Sequence, residues 1–214
     1  MDRAEVVYVH GLWLNGRESL VLRRRLERES GYRVHPFRYR AVTAPMEDAT
    51  ARLAEFIASL QASRVHFIGH SLGGLVIYRF LERYPQERLG RAVFLGTPSV
   101  ASRAAMGAAR LRWAAPLVGR CLAEELGMYR ERRWCATGEL GIIAGTRRVG
   151  LGQFVARFDE DSDGTVAVSE TRLPGATDHL CVPVSHMGLL LSARVARETA
   201  LFLREGRFSL GAVR

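Results

Sequence analysis

Lysine is missing from this chain of 214 residues, so all 31 of its basic side chains are arginines. The absence excludes a Schiff-base lysine and the phosphate-binding lysine of a Walker loop, and with them nucleotide chemistry of that kind. The 31 arginines outnumber the 22 acidic side chains, which gives a formal charge of +9. The arginines are scattered, as a codon or mutational bias would leave them, and runs such as 23–25 favour solvated helix faces over a nucleic-acid surface.

Cysteines and long apolar runs are also scarce. The three cysteines, Cys121, Cys135 and Cys181, form no CxxC pair, so they indicate neither a disulfide framework nor a zinc knuckle. No apolar stretch approaches the ~20 residues of a membrane-spanning helix. A strand-like run at 6–9 follows Met1 too closely for a cleaved signal peptide, so a reducing, cytoplasmic location is expected if Met1 is the true start.

The rest of the composition, 48% apolar and 25% charged, is that of one domain over 1–214 with enough material for a full core. Short apolar runs alternate with longer segments of helical spacing. The runs predict strands at 6–9, 32–37, 64–68, 92–95, 140–144 and 179–184. Helices are predicted at 17–29, 45–61, 72–83 and 188–204. This alternation predicts an α/β fold, with a mostly parallel central sheet of about six strands and helices on both faces.

The sharpest local pattern is a serine between two glycines, read as Gly69, His70, Ser71, Leu72 and Gly73. The pattern alone is weak, but it stands between a predicted strand and a predicted helix. A serine on such a turn is lifted off the sheet with its hydroxyl exposed, and the glycines keep neighbouring backbone from colliding. The helix aims its first amides at the same point. The alternative is an ordinary glycine-rich turn with a helix-capping serine.

A serine nucleophile needs a histidine base that is itself oriented by an acid. His186 is the candidate base, because it follows the last strand and precedes the terminal helix. The acidic loop upstream supplies Asp163 as the candidate acid. A solvated turn or a calcium site at Asp159, Asp161 and Asp163 is the alternative, although the later glutamate of an EF-hand is missing. The histidines beside other strands and turns are expected to be structural: His10, His66 and His70.

Serine, aspartate and histidine follow one another in the order of the α/β-hydrolases, which differs from that of trypsin-like and subtilisin-like proteases. The sequence resembles that family, and its small bacterial lipases and esterases, at four further points. His10 and Gly11 look like its oxyanion-loop motif, and residues 96–98 look like the Gly-Thr-Pro of many bacterial lipases. Residues 184–190 look like the catalytic-histidine segment of small lidless lipases. Residues 163–166 are similar to the acid-bearing turn of larger ones.

This resemblance covers nearly the whole chain and implies a role for each residue. Ser71 would attack an acyl carbonyl, His186 would take its proton and return it to the leaving alcohol, and Asp163 would hold the imidazolium. The backbone N–H groups of Leu12 and Leu72 would bind the oxyanion. The antiparallel strands that usually precede the oxyanion strand are missing, so a trimmed α/β-hydrolase fold is expected.

The segment 99–139 is longer than its counterpart in the smallest lipases, and it is rich in alanine, leucine and arginine. It is interpreted as a lid or pocket-wall insertion that suits peripheral contact with an anionic lipid surface. Ordinary crossover helices are an equally good interpretation.

The sequence therefore predicts a serine hydrolase that cleaves carboxylic esters, with a lipid or other hydrophobic acyl ester as its small-molecule substrate. No metal, organic cofactor or nucleic-acid partner is expected. An acyltransferase or thioesterase with the same triad is the runner-up. A non-catalytic hydrolase-like binding module is the third hypothesis, although such proteins usually lack a triad member and none is missing here.

Overall fold

The structure is a computed structural model, and it describes residues 4–99, 119–127, 131–149 and 160–209. The strands of the sheet are β1 Ala4–Val9, β2 Arg33–Phe37, β3 Arg64–His70, β4 Leu89–Leu95, β5 Leu140–Gly145 and β6 Asp178–Val182. The helices of the described residues are α1 Leu20–Ser30, α2 Met46–Ser59, α3 Leu72–Arg83, α4 Arg120–Gly127, α5 Val168–Thr171, α6 Gly188–Leu191 and α7 Ala193–Glu205.

The strands form one sheet in the order β2-β1-β3-β4-β5-β6, and every pair in it is parallel. The prediction of a mostly parallel sheet of about six strands is confirmed, as is the trimmed fold. Because the strands are parallel, all of their carboxyl ends lie at one edge. The loops that leave this edge carry the predicted site residues.

Both faces of the sheet are covered by helices, which explains why the strands read as continuous apolar runs. Successive strand residues point to opposite faces, so Val7 and Phe67 pack on one side while Tyr8 and Ile68 pack on the other. Helices α2, α3 and α4 cover the first face, and α1, α6 and α7 cover the second. Each large apolar side chain buried in these two layers contributes about 1.5–3 kcal/mol.

One predicted helix is interrupted. The segment 188–204 was expected to be continuous, but the structure divides it at Ser192, whose backbone is extended (φ −76°, ψ 128°). The Ser192 side chain accepts a hydrogen bond from the backbone N–H of Val195 and so begins α7. The prediction of a single helix was wrong because a serine that favours the N-cap position competes with helix continuation.

The segment 99–139 can be described only in part, since 100–118 and 128–130 lie outside the described residues. Its helix α4 packs on α2, where the Cys121 thiol lies 3.7 Å from the sulfur of Met46. The buried guanidinium of Arg132 donates to Glu125 at 2.7 Å and to the carbonyl of Ser99 at 3.0 Å. The described parts of the segment are thus joined to the domain, and the lid remains a prediction.

No helix within the described ranges is long and apolar enough to cross a membrane.

Candidate active site

Ser71 stands at the turn between β3 and α3 in a backbone conformation that side chains rarely adopt. Its φ is 54° and its ψ is −124°, and among the described residues only Trp13 shares a positive φ without being glycine. Such a conformation costs about 1–3 kcal/mol and must be held by its surroundings. Here the Ser71 N–H donates to Leu95 at 2.9 Å, while its carbonyl accepts from the Thr97 hydroxyl at 3.0 Å.

The glycines on either side of Ser71 make this turn sterically feasible. A Cβ added to Gly69 would lie 2.4 Å from the Cα of Gly74, and one added to Gly73 would lie 2.1 Å from the carbonyl oxygen of Val9. Both contacts are with backbone, which cannot move aside cheaply. Substituting either glycine would therefore displace α3 or β1 from the turn.

Asp163 and His186 form a buried pair. Asp163 Oδ2 lies 2.6 Å from His186 Nδ1, and the two residues are 1% and 9% exposed. The other oxygen, Oδ1, accepts the backbone N–H groups of Thr165 and Val166 at 2.9 and 2.8 Å. Because the carboxylate can only accept, we assign the proton of the pair to Nδ1, which leaves a lone pair on His186 Nε2. The carboxylate thus orients the imidazole and leaves its Nε2 able to accept a proton.

The acidic loop offers no sign of cation ligation at Asp163, because both of its carboxylate oxygens accept from N–H groups. Asp159 lies outside the described residues. Within the part of the chain that the structure describes, no group of three or more histidine, cysteine and acidic side chains is arranged to hold a metal ion.

Two glycines leave space for Asp163 and His186 above the sheet edge between β6 and β3. These two strands are separated in the sheet by β4 and β5. A Cβ on Gly145, at the end of β5, would lie 2.7 Å from the Cβ of Asp163. A Cβ on Gly96, after β4, would lie 2.9 Å from Asp163 Oδ2 and 3.1 Å from His186 Nδ1. The acid and the base therefore lie across the ends of β4 and β5. Gly145 was missed by sequence reasoning, although a glycine ending an apolar strand was a usable signal.

The loop after β1 packs directly on the Ser71 turn. A Cβ on Gly11 would lie 3.0 Å from the Cβ of Ser71. Next to it, His10 Nδ1 donates to the carbonyl of Gly11 at 2.8 Å, and its ring stacks on Tyr39 at 4.5 Å. This bond fixes the peptide group shared by the Gly11 carbonyl and the Leu12 N–H, which point in opposite directions.

Leu72 supplies the second N–H group that the sequence singled out. It is the first residue of α3, so the helix itself does not use its N–H, and the partial positive charge of the helix N-terminus adds to it. Leu12 and Leu72 thus belong to two segments that both border Ser71.

Two other buried histidines, His66 and His10, are held by structural contacts. His66 Nδ1 accepts the backbone N–H of Arg91 at 2.8 Å. His10 accepts the N–H of Tyr39 on Nε2 at 3.4 Å. Burial lowers the pKa of both, that of His66 to about 4. These contacts agree with the expectation that they are structural.

A parallel sheet with helices on both faces, a serine on a strained strand-to-helix turn and an acid–histidine pair at the same edge define the class of α/β hydrolases. The chain matches the alpha/beta hydrolase family over residues 6–203 and belongs to that family. No curated protein matches the chain significantly.

Solved structures share this fold at low sequence identity. The mature lipase BlEst2 of Bacillus licheniformis is 18% identical with a TM-score of 0.71, over 95% of this chain and 91% of that one. The metagenomic carboxyl esterase MGS0156 is 19% identical with a TM-score of 0.70, over 96% and 76%. Phospholipase PlaB of Legionella pneumophila is 17% identical with a TM-score of 0.59, over 79% and 45%.

Gly96 can be tested against a matched glycine. Gly96→Ala places a methyl group against Asp163, His186 and Leu189 at a φ of 56°, whereas Gly31→Ala has a φ of 73° with nothing within 4 Å. We expect Gly31→Ala to cost about 1 kcal/mol, from backbone strain alone. Gly96→Ala should cost at least about 2 kcal/mol more, because overpacking is added. Urea denaturation measures both values, and equal losses would contradict the described crowding.

Acid should destabilise the fold through its buried histidines. Burial holds the pKa of His66 at about 4 in the folded chain, against about 6.5 when unfolded. The unfolded state therefore binds the proton more readily, so the free energy of unfolding falls as the pH drops from about 6.5 towards 4. His66→Asn keeps an acceptor for Arg91 without this titration and should flatten the fall. An unchanged slope in a urea–pH series would rule out this contribution.

Proposed function

We propose that this chain is a serine hydrolase that cleaves carboxylic esters of hydrophobic acids, such as lipid esters, through an acyl-enzyme. The observation that carries the proposal is the buried Asp163–His186 pair at the sheet edge where Ser71 stands on its strained turn. The Ser71 turn lies close to this pair, since His70, the residue before Ser71, contacts His186 with ring centroids 4.7 Å apart.

In the acylation step, Ser71 Oγ attacks the carbonyl carbon of the ester while His186 Nε2 takes the hydroxyl proton. The imidazolium that forms is stabilised by the negative charge of Asp163. The N–H groups of Leu12 and Leu72 bind the oxyanion of the tetrahedral intermediate, and each is worth about 3 kcal/mol of barrier. The intermediate collapses when the C–O bond breaks and the alcohol leaves with the proton from His186.

In the deacylation step, water attacks the acyl carbon and His186 takes one of its protons. The same two N–H groups bind the second oxyanion. The acid is released when the bond to Ser71 Oγ breaks and the serine regains its proton from His186. His186 mediates every proton transfer in this cycle, between Ser71, the leaving alcohol and water, while Asp163 stabilises the imidazolium, so the cycle calls for no metal or organic cofactor.

Apolar side chains beside the site support a hydrophobic acyl group. Trp13 follows Leu12 and is 60% exposed, and Met187 follows His186 and is 44% exposed. Large apolar side chains exposed next to both site residues in the sequence favour an apolar substrate. The likeness in fold to a lipase, a carboxyl esterase and a phospholipase is consistent with this substrate class.

Removing the nucleophile tests the reaction itself. Ser71→Ala should lower kcat/KM for p-nitrophenyl butyrate and octanoate by roughly a thousandfold or more, because no group can then form the acyl-enzyme. Ser192→Ala is the matched control, since it loses a helix cap and should lower the melting temperature without lowering kcat. Full activity in Ser71→Ala would refute the assignment of the nucleophile.

Replacing single carboxylates tests the acid. Asp163→Asn should lower kcat by roughly 10⁴-fold, since an amide can neither hold the Nδ1–H tautomer nor stabilise the imidazolium. Asp161→Asn changes the same charge in the same loop at an exposed position and should leave kcat within about threefold of the wild type. Similar losses in the two variants would mean that the loop charge as a whole matters and that Asp163 has no special role.

A further inference from the structure

His70 connects the Ser71 turn to the loop of the candidate base. The residue is buried at the end of β3, and its Nε2 lies 3.2 Å from the carbonyl oxygen of His186. A carbonyl oxygen only accepts, so Nε2 carries the proton and donates it. The residue next to Ser71 thus donates a hydrogen bond to the backbone of His186.

Strand pairing cannot fix the distance between Ser71 and His186. Strands β3 and β6 are separated by β4 and β5, so their axes stand about 14 Å apart at the usual strand spacing. The loop that carries His186 must therefore extend over two strand ends to reach Ser71. A small shift of any of these loops would change the separation of Ser71 and His186, whereas the bond from His70, the residue before Ser71, holds the His186 backbone to the end of β3.

The backbone of His186 is held on both sides. Its N–H donates to the backbone carbonyl of Asp163 at 2.9 Å, and its own carbonyl accepts from His70. Its ring is held in addition by Asp163 Oδ2 at 2.6 Å. With these three bonds in place, the direction in which Nε2 of His186 points is determined.

The second ring nitrogen of His70 indicates that this residue is more than a packing group. Nδ1 is buried and has no hydrogen-bond partner among the described residues. An unpaired buried nitrogen destabilises the fold, and an apolar side chain of the same size would avoid that cost. Burial and the neighbouring His186 lower the pKa of His70 well below its ordinary value, so the ring is neutral and Nδ1 stays unpaired. The donor at Nε2 is the contact that offsets this cost.

We propose that His70 is a positioning residue, which holds the backbone of His186 through its Nε2–H group and so sets the distance between the candidate base and Ser71. This inference rests on the proposed function for its effect on rate, but the bond itself does not depend on it.

Two variants separate the donor from the volume of the side chain. His70→Gln keeps an N–H at the same number of bonds from the backbone, and His70→Met has the same length without a donor. We expect His70→Met to lower kcat for p-nitrophenyl butyrate by roughly ten- to hundredfold with KM within about threefold, because misplacement of the base affects the transition state most. His70→Gln should restore most of the kcat.

His66→Met is the matched control, since His66 lies on the same face of the same strand four residues earlier and bonds only outside the site. It should lower the melting temperature and leave kcat unchanged. Proton NMR of the His186 Nδ1–H shared with Asp163 gives a readout that needs no activity. We expect its downfield signal to broaden or vanish in His70→Met and to persist in His70→Gln and His66→Met.

The His70 variants can overturn the inference in two ways. An unchanged kcat and an unchanged His186 signal in folded His70→Met would overturn the inference, as would a His70→Gln variant as impaired as His70→Met. A wild-type chain that cleaves no ester would instead count against the proposed function, and the NMR comparison would still test the bond from His70.

Discussion

The whole arrangement depends on a constraint of parallel sheets: residues that leave different strands can meet only at the carboxyl edge, and only if the loops bend towards one another. Ser71 leaves β3, whereas Asp163 and His186 come from beyond β5 and β6. The pair lies across the ends of two intervening strands, and His186 contacts His70, the residue before Ser71. Gly96 and Gly145 have no side chain at the two points where a Cβ would touch Asp163 or His186.

The rigidity needed for this arrangement comes from the layers on each side of the sheet. Apolar side chains of α2 and α3 fill one face and those of α1 and α7 fill the other, so the strand ends have little freedom to shift. That rigidity allows the chain to hold Ser71 at a positive φ. The strain is offset by the surrounding hydrogen bonds from Thr97 and to Leu95.

Much of the fold could be predicted because it follows from local patterns. The apolar runs gave six strands close to their observed bounds, and the serine between two glycines fell at a strand-to-helix turn. Helix α1 begins three residues later than expected, because the Glu18 and Ser19 side chains bond to the backbone at Gly16 and hold a turn there. The break at Ser192 was missed because capping and helix continuation compete within one turn.

Features of the site that depend on distant contacts could not be read from the sequence. The pairing of Asp163 with His186 was predicted from chain order, whereas the bond from His70 to His186 joins residues far apart in sequence and has no local signature. His70 was expected to be structural because it lies at the turn that follows a predicted strand. The role of Gly145 likewise becomes apparent only when the loop from β6 lies over it.

A crystal structure of the chain after reaction with a fluorophosphonate tests the central claim most directly, because the phosphonyl group imitates the tetrahedral intermediate. We expect phosphorus bonded to Ser71 Oγ, its oxygen within about 3 Å of the Leu12 and Leu72 nitrogens, and His186 Nε2 within hydrogen-bond distance of Ser71 Oγ. An adduct on another residue, or a phosphonyl oxygen turned to solvent with His186 out of reach, would contradict it.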